Sequence, residues 1–175
     1  VMSKTPAPAT PTPAKGHKVA ATSAPLAVLF DAYGTLFDVY SVALLAEQLF
    51  PGQGQALSLL WRDKQIEYTR LVTTSNHGAH YQPFWELTRA ALVFAIKKLV
   101  SHADSTRAGA ELDTQVAQLM NQYRSLSAFP ENREVLQALK ERGIPAGILS
   151  TGDPAMPGGA VTSAGLSGLL PHVTS

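Results

Sequence analysis

Asp31 closes the apolar run Leu26-Ala-Val-Leu-Phe30 and is followed at once by the turn residues Gly34 and Thr35. A continuously apolar run marks a parallel strand covered on both faces, and open α/β sheets bind ligands outside the carboxyl ends of such strands. A carboxylate at that exit is a candidate nucleophile, able to attack carbon or phosphorus and form a covalent intermediate. Aspartate also caps turns by accepting backbone N–H groups, so position alone leaves both readings open. Ser150 stands at the end of a second apolar run, Ile144 to Leu149, and opens the loop Ser150-Thr-Gly-Asp-Pro154. Arg62 lies about 100° around a helix from Trp61, off the 57/61/68 packing stripe, with Ile66 on its own face at i+4. Such an arginine is either a solvated surface side chain or part of a lid over a site. His77 and His80 are three apart, a spacing some metal sites use, but with no third ligand near them they read as surface-loop residues. No Gly-x-Ser-x-Gly elbow is present to support a serine nucleophile.

These residues need elements to hold them. Between the two apolar runs the chain has helical periodicity four times over. Val42, Leu45, Ala46 and Leu49 form a short stripe ending at Pro51-Gly52. Leu57, Leu60, Trp61, Tyr68 and Leu71 mark a helix from about residue 55 to 73. Pro83 suits a first helical turn, with Phe84, Leu87, Ala91 and Phe94 along one face. Leu112, Val116, Leu119, Met120, Tyr123 and Leu126 give the cleanest amphipathic pattern. Four helices in a row after one strand predict a helical-bundle insertion. The α/β rhythm then resumes. Pro130 opens a helix with Val135, Leu136 and Leu139 inside and Gly143 as its stop, and a second buried strand runs from Ile144 to Leu149. A weaker helix spans Met156 to Ala164, and Val173-Thr-Ser175 starts a third strand. Two strands and a stub fall short of the usual five or six. Either another chain completes the sheet or the sequence is the front part of a longer protein, and the second is the expectation adopted.

The 175 residues include no cysteine, are 45% hydrophobic and carry a formal net charge of +1. That predicts a soluble globular protein of one domain, or one domain with an inserted lobe. It supports neither a nucleic-acid partner nor a membrane-surface role, and no apolar run approaches the roughly 18 residues of a membrane span. Without cysteine there are no disulfides and no thiolate metal sites, which fits a reducing cytoplasm. Residues 1–25, rich in Pro, Ala and Thr and without an acid, predict a disordered tail, with no apolar core of a secretory signal.

Three stretches carry a family resemblance: Phe30-Asp-Ala-Tyr-Gly-Thr-Leu-Phe-Asp38, Leu60-Trp-Arg-Asp-Lys-Gln-Ile-Glu-Tyr-Thr69, and Ile148-Leu-Ser-Thr-Gly-Asp-Pro154 with Ser163-Ala-Gly-Leu166. Together they resemble the (S)-2-haloacid dehalogenases, also called L-2-haloacid dehalogenases, of the haloacid dehalogenase-like hydrolase superfamily. The resemblance runs in order from about Leu26 to Val173. It implies an α/β fold with a Rossmann-like parallel sheet core at 26–38 and 129–175, incomplete here, and an inserted helical cap at 39–128. It also implies that Asp31 attacks the halogen-bearing carbon to form an ester that water hydrolyses, with no cofactor and no metal. Arg62 matches the halide-binding position and Thr35 the turn threonine. Ser150, aided by the Ala32 and Tyr33 N–H groups, matches the carboxylate-binding position, and Tyr33, Ile66 and Tyr81 match an apolar wall. The implied partner is a small 2-haloacid, the implied assembly a homodimer when full length, and the implied location the cytoplasm.

Tyr33 agrees with that chemistry. Phosphatases of the superfamily place a second aspartate there as a general acid, whereas halide, the anion of a strong acid, leaves without a proton. It needs positive charge or hydrogen-bond donors instead. A phenol there also gives a magnesium ion one hard ligand fewer. A magnesium-dependent phosphatase or phosphonatase of the same superfamily is therefore the weaker alternative. Thr151 stands where the family has a halide-binding asparagine, and Asp63 replaces a commonly neutral neighbour of the arginine. The family's lysine, which neutralises the nucleophile, and its late aspartate, which helps position the water, fall past Ser175. The remaining alternative is thus a truncated, inactive fragment. The chain as given is expected to be inactive or nearly so, and marginally soluble because the first strand has an unpaired apolar edge.

Overall fold

The computed structural model describes residues 23–75, 79–100, 109–150 and 155–174. The segment 1–25 expected to be a tail lies outside the described residues up to position 22, as do His77 and Thr151. Three short strands form a parallel sheet in the order β1 (Val28–Phe30), β2 (Ala146–Leu149), β3 (His172–Thr174). Six helices connect them: α1 (Ala43–Leu49), α2 (Gly54–Thr74), α3 (Phe84–Val100) and α4 (Gly109–Gln122) between β1 and α5 (Asn132–Glu141), then α6 (Ala155–Ser163) between β2 and β3. The fold is thus α/β with a parallel sheet, with four helices in succession where four amphipathic stripes predicted them. No described helix is long and apolar enough to cross a membrane.

The turn after β1 is fixed by its own backbone. Ala32 is fully buried, and its carbonyl accepts the N–H groups of Leu36 and Phe37, each at 3.0 Å. Gly34 sits at φ +98°, a left-handed conformation that a side chain would strain. Beyond the turn, Asp38 N–H donates to Ser127 O at 2.8 Å and Phe129 N–H to Leu36 O at 3.1 Å, so the two ends of the helical insertion are stitched together. Asp38 also caps the short 3-10 segment Val39–Val42 by accepting from Tyr40 N–H at 2.9 Å.

Helix α2 carries most of the site, and its start is set by α1. The Glu47 carboxylate accepts the N–H groups of Gly52 and Gly54, which would otherwise be unsatisfied donors at the α2 N-terminus. Those bonds hold the carboxyl below its usual range. The approach is close enough that a Cβ on Gly54 would meet the Glu47 backbone nitrogen at 2.5 Å. Gly54→Ala is therefore expected to cost about 2–3 kcal/mol, read as a lowered melting temperature, because helix backbones rather than side chains must move apart. Wild-type stability in that variant would contradict the packing described.

Several sequence expectations need correction. The first strand was expected from Leu26 with cover on both faces, but Leu26 is 95% exposed and Leu29 60%. The register pairs Leu29 with Gly147 and Leu149 with Thr174, placing these residues on one face of the sheet with His172. That face is open, with Leu149 52% exposed. The opposite face buries Ala146 and Ile148 and packs the partly buried Phe30 and Val173 against the core. Strand β2 starts at Ala146 rather than Ile144, because Ile144 N–H still bonds back to Leu139 O at the end of α5. Leu71, Phe94 and Val135 were expected inside and are exposed. Leu71 shares an outer groove with Asp63 and Glu67, and Phe94 lies beneath the Lys64 ammonium, 4.8 Å from its ring centre.

Candidate active site

The exit of β1, one face of α2 and the end of β2 enclose a cleft of about 260 Å³ lined by Asp31, Tyr33, Arg62, Ile66, Phe84 and Ser150, with Gln65, Thr69 and Arg70 completing it. Asp31 is exposed to this space, and Thr35 Oγ1 donates to its Oδ2 at 3.3 Å. Ser150 is buried at the mouth of β2, its own N–H donating to Thr174 O at 3.1 Å, which joins the loop to β3. Asp31 and Ser150, 119 positions apart in sequence, meet because β1 and β2 are parallel neighbours.

Arg62 reaches the Asp31 turn from α2. One guanidinium nitrogen donates to Tyr33 O at 3.1 Å and the other to Gln65 Oε1 at 2.8 Å. Gly34 makes room for it: a Cβ there would stand 3.3 Å from the first of those nitrogens. The absence of a side chain at Gly34 therefore serves both the left-handed turn and the arginine's approach. Asp63, the acidic neighbour, lines the outer groove of α2 and not the cleft.

Tyr33 turns its ring inward, stacked between Phe84 (5.5 Å between centres) and Tyr123 (5.4 Å). Its hydroxyl is buried with no hydrogen-bond partner among the described residues. Burial pushes this phenol far above its ordinary value, and the charges of ionised Tyr123 and Asp31 act in the same sense. Tyr123 is pushed up to about 12, again chiefly by burial, with its bond to Gln65 and the nearby Arg62 opposing. Both phenols are neutral at ordinary pH, so neither adds negative charge at or behind the cleft. Trp61 closes the back of α2, its indole N–H donating to Thr88 O at 2.8 Å.

The structure thus gathers Asp31, Tyr33, Arg62, Ile66 and Ser150 around one space, with Thr35 bonded to Asp31 and buried Ala32 in the turn. It does not bring Tyr81 there: that side chain is 76% exposed and absent from the lining. Tyr81→Ala is therefore expected to move stability by less than about 0.5 kcal/mol, as at other exposed positions, and a larger drop in melting temperature would contradict that exposure. Gln65, Thr69, Arg70 and Phe84 were not foreseen in the cleft. The first three follow Arg62 at i+3, i+7 and i+8, the same helical face that already paired Arg62 with Ile66. Phe84 comes from α3, and no local signal ties it to this space.

Residues 25–175 match the family model described as haloacid dehalogenase-like hydrolase. Among curated relatives, the (S)-2-haloacid dehalogenase of Pseudomonas sp. (strain YL) is 38% identical over 149 residues, 85% of this chain and 59% of that protein. The haloacetate dehalogenase H-2 of Moraxella sp. (strain B) is 36% identical, covering 85% of this chain and 62% of that one. A crystal structure of an L-2-haloacid dehalogenase is 54% identical with a TM-score of 0.77, covering 87% of this chain and 64% of that one. The Xanthobacter autotrophicus L-2-haloacid dehalogenase with chloropropionic acid covalently bound is 35% identical with a TM-score of 0.72, covering 86% of this chain and 56% of that one. The chain therefore spans about three fifths of the length of these relatives.

Proposed function

The chain belongs to the haloacid dehalogenase-like hydrolase family, and from that premise we propose that it carries the nucleophile and the halide site of an (S)-2-haloacid dehalogenase. In this reading an Asp31 oxygen forms a bond to the α-carbon as the carbon–halogen bond breaks, and the electron pair leaves with the halide. The carbon inverts. Water then opens the aspartyl ester, returning the Asp31 carboxylate and releasing an (R)-2-hydroxyalkanoate and a proton. Arg62 receives the halide, and Ser150 with the Ala32 and Tyr33 N–H groups anchors the substrate carboxylate. Ile66, Phe84 and the Tyr33 ring face the alkyl part. Segments 26–38 and 129–175 serve as core and 39–128 as cap. Homodimeric assembly and a cytoplasmic location belong to the same reading and rest on the resemblance alone.

The observation that carries this proposal is a single cleft holding one carboxylate and a guanidinium already tied to the carboxylate's own turn. The stacked phenol at position 33 fits it too: a leaving halide calls for positive charge, and the residue two positions after Asp31 is a neutral phenol, not a carboxylic acid that could protonate an alkoxide. Names and bound species of the relatives point the same way. The test is halide release from (S)-2-chloropropionate, assayed on this chain and on a chimera supplying the relatives' remaining length. Release from the S enantiomer alone, with (R)-lactate as product, is expected of the chimera. Silence from both proteins rejects the assignment.

A further inference from the structure

Gln65 is an amide in the core, 1% exposed and one helical turn from Arg62. An unsatisfied buried amide costs several kcal/mol, so a carboxamide kept there must be bonded, and this one is bonded on both sides. Its Nε2 donates to Thr88 Oγ1 at 2.7 Å and to Tyr123 Oη at 3.0 Å. Its Oε1 accepts from Arg62 at 2.8 Å, with Tyr123 Oη at 3.2 Å.

The order of these bonds decides which way the amide faces. Thr88 spends its only hydroxyl proton on Phe84 O, at 2.7 Å. Its oxygen can therefore only accept, so the NH₂ of Gln65 must face Thr88 and the carbonyl must face Arg62. A flipped amide would set two donors against each other at Arg62 and two acceptors against each other at Thr88. The carbonyl is thus aimed at Arg62 by Thr88 on α3 and not by the arginine, while Tyr123 Oη steadies the amide from its side. With Tyr33 O as the second acceptor, the guanidinium is held at two points between the nucleophile turn and the helical layer.

We infer that Gln65 is the positioning residue that sets the Arg62 guanidinium for a leaving halide, through a Thr88–Gln65–Tyr123 clamp. The inference rests on the proposed halide role of Arg62. An anion site works when its donors are fixed before charge develops, and here the fixing group is a buried amide itself held by Thr88 and Tyr123.

The test uses chloride binding by the chain itself, followed as ³⁵Cl line broadening, so that turnover is not required. Wild type should bind, and Arg62→Ala should abolish binding. Gln65→Met, which keeps volume and removes every bond, should weaken binding at least fivefold. Tyr123→Phe, which removes one hydroxyl and keeps the ring stack, should weaken it at least twofold and decides the matter if Gln65→Met does not fold. Gln65→Glu should bind weakly near neutral pH, where the introduced carboxylate draws the guanidinium's charge onto itself. It should recover as that carboxyl is protonated, relative to wild type titrated in parallel because Asp31 faces the same cleft. A merely structural Gln65 gives no such difference in pH profile. No chloride binding by wild type, or unchanged binding in Arg62→Ala, overturns the reading beneath the inference. Binding lost in Arg62→Ala but held within twofold in Gln65→Met and Tyr123→Phe overturns the inference alone.

Discussion

In the chimera that supplies the relatives' remaining length, Asp31→Asn is expected to abolish halide release, by a factor on the order of 10⁵ or more, the scale seen when a covalent nucleophile is removed. An amide oxygen carries no full charge and makes a poor nucleophile toward saturated carbon, so the first bond cannot form at a useful rate. The substitution keeps the shape of the side chain and leaves one oxygen to accept from Thr35 Oγ1, so the turn built on the Ala32 carbonyl and Gly34 should survive. Asp31 is exposed at the end of β1 and buries little surface. Stability should therefore move by less than about 0.5 kcal/mol, as for surface positions. A variant that folds and still turns over would show that Asp31 only caps the turn.

In the same chimera, Arg62→Ala should lower turnover by about 10²–10³-fold, the cost of removing one preorganised donor to a developing anion. The size should depend on the halogen. Chloride is a poorer leaving group than bromide or iodide and leans more on the guanidinium, so the loss should be largest for chlorinated substrates. Arg62→Lys should recover only part of the rate, because an ammonium cannot meet both Tyr33 O and Gln65 Oε1 in the planar fork the two acceptors require. The same loss for all halogens would indicate that Arg62 holds the substrate carboxylate instead.

The elements of this fold were legible wherever periodicity is strong. Leu57 and Trp61 announced α2, and Val116, Leu119 and Met120 announced α4. Coverage was not legible, because a run such as Leu26 to Phe30 records the chain's own apolarity and not what packs against it. The open face bearing Leu29 and Leu149 belongs to the same chain that spans about three fifths of its relatives' length. In the site, Asp31, Arg62 and Ser150 could be named from motifs because each sits at a strand exit or beside a tryptophan that fixes helix phase. Gln65 escaped notice for the opposite reason. A glutamine reads as surface, and only the meeting of α2, α3 and Tyr123 turns it into a core residue. Tyr81 shows the reverse failure: its type suits an aromatic wall, yet on the approach to α3 its ring points to solvent.

The central claim is that an Asp31 oxygen, not water, attacks carbon. A single turnover of the chimera in H₂¹⁸O, with enzyme in excess over (S)-2-chloropropionate, tests it directly. Water attacks the ester at the Asp31 carbonyl carbon, so the lactate of the first turnover should carry ¹⁶O and the Asp31 peptide should gain ¹⁸O by mass spectrometry. Lactate labelled with ¹⁸O, beside an unlabelled Asp31 peptide, would contradict the account.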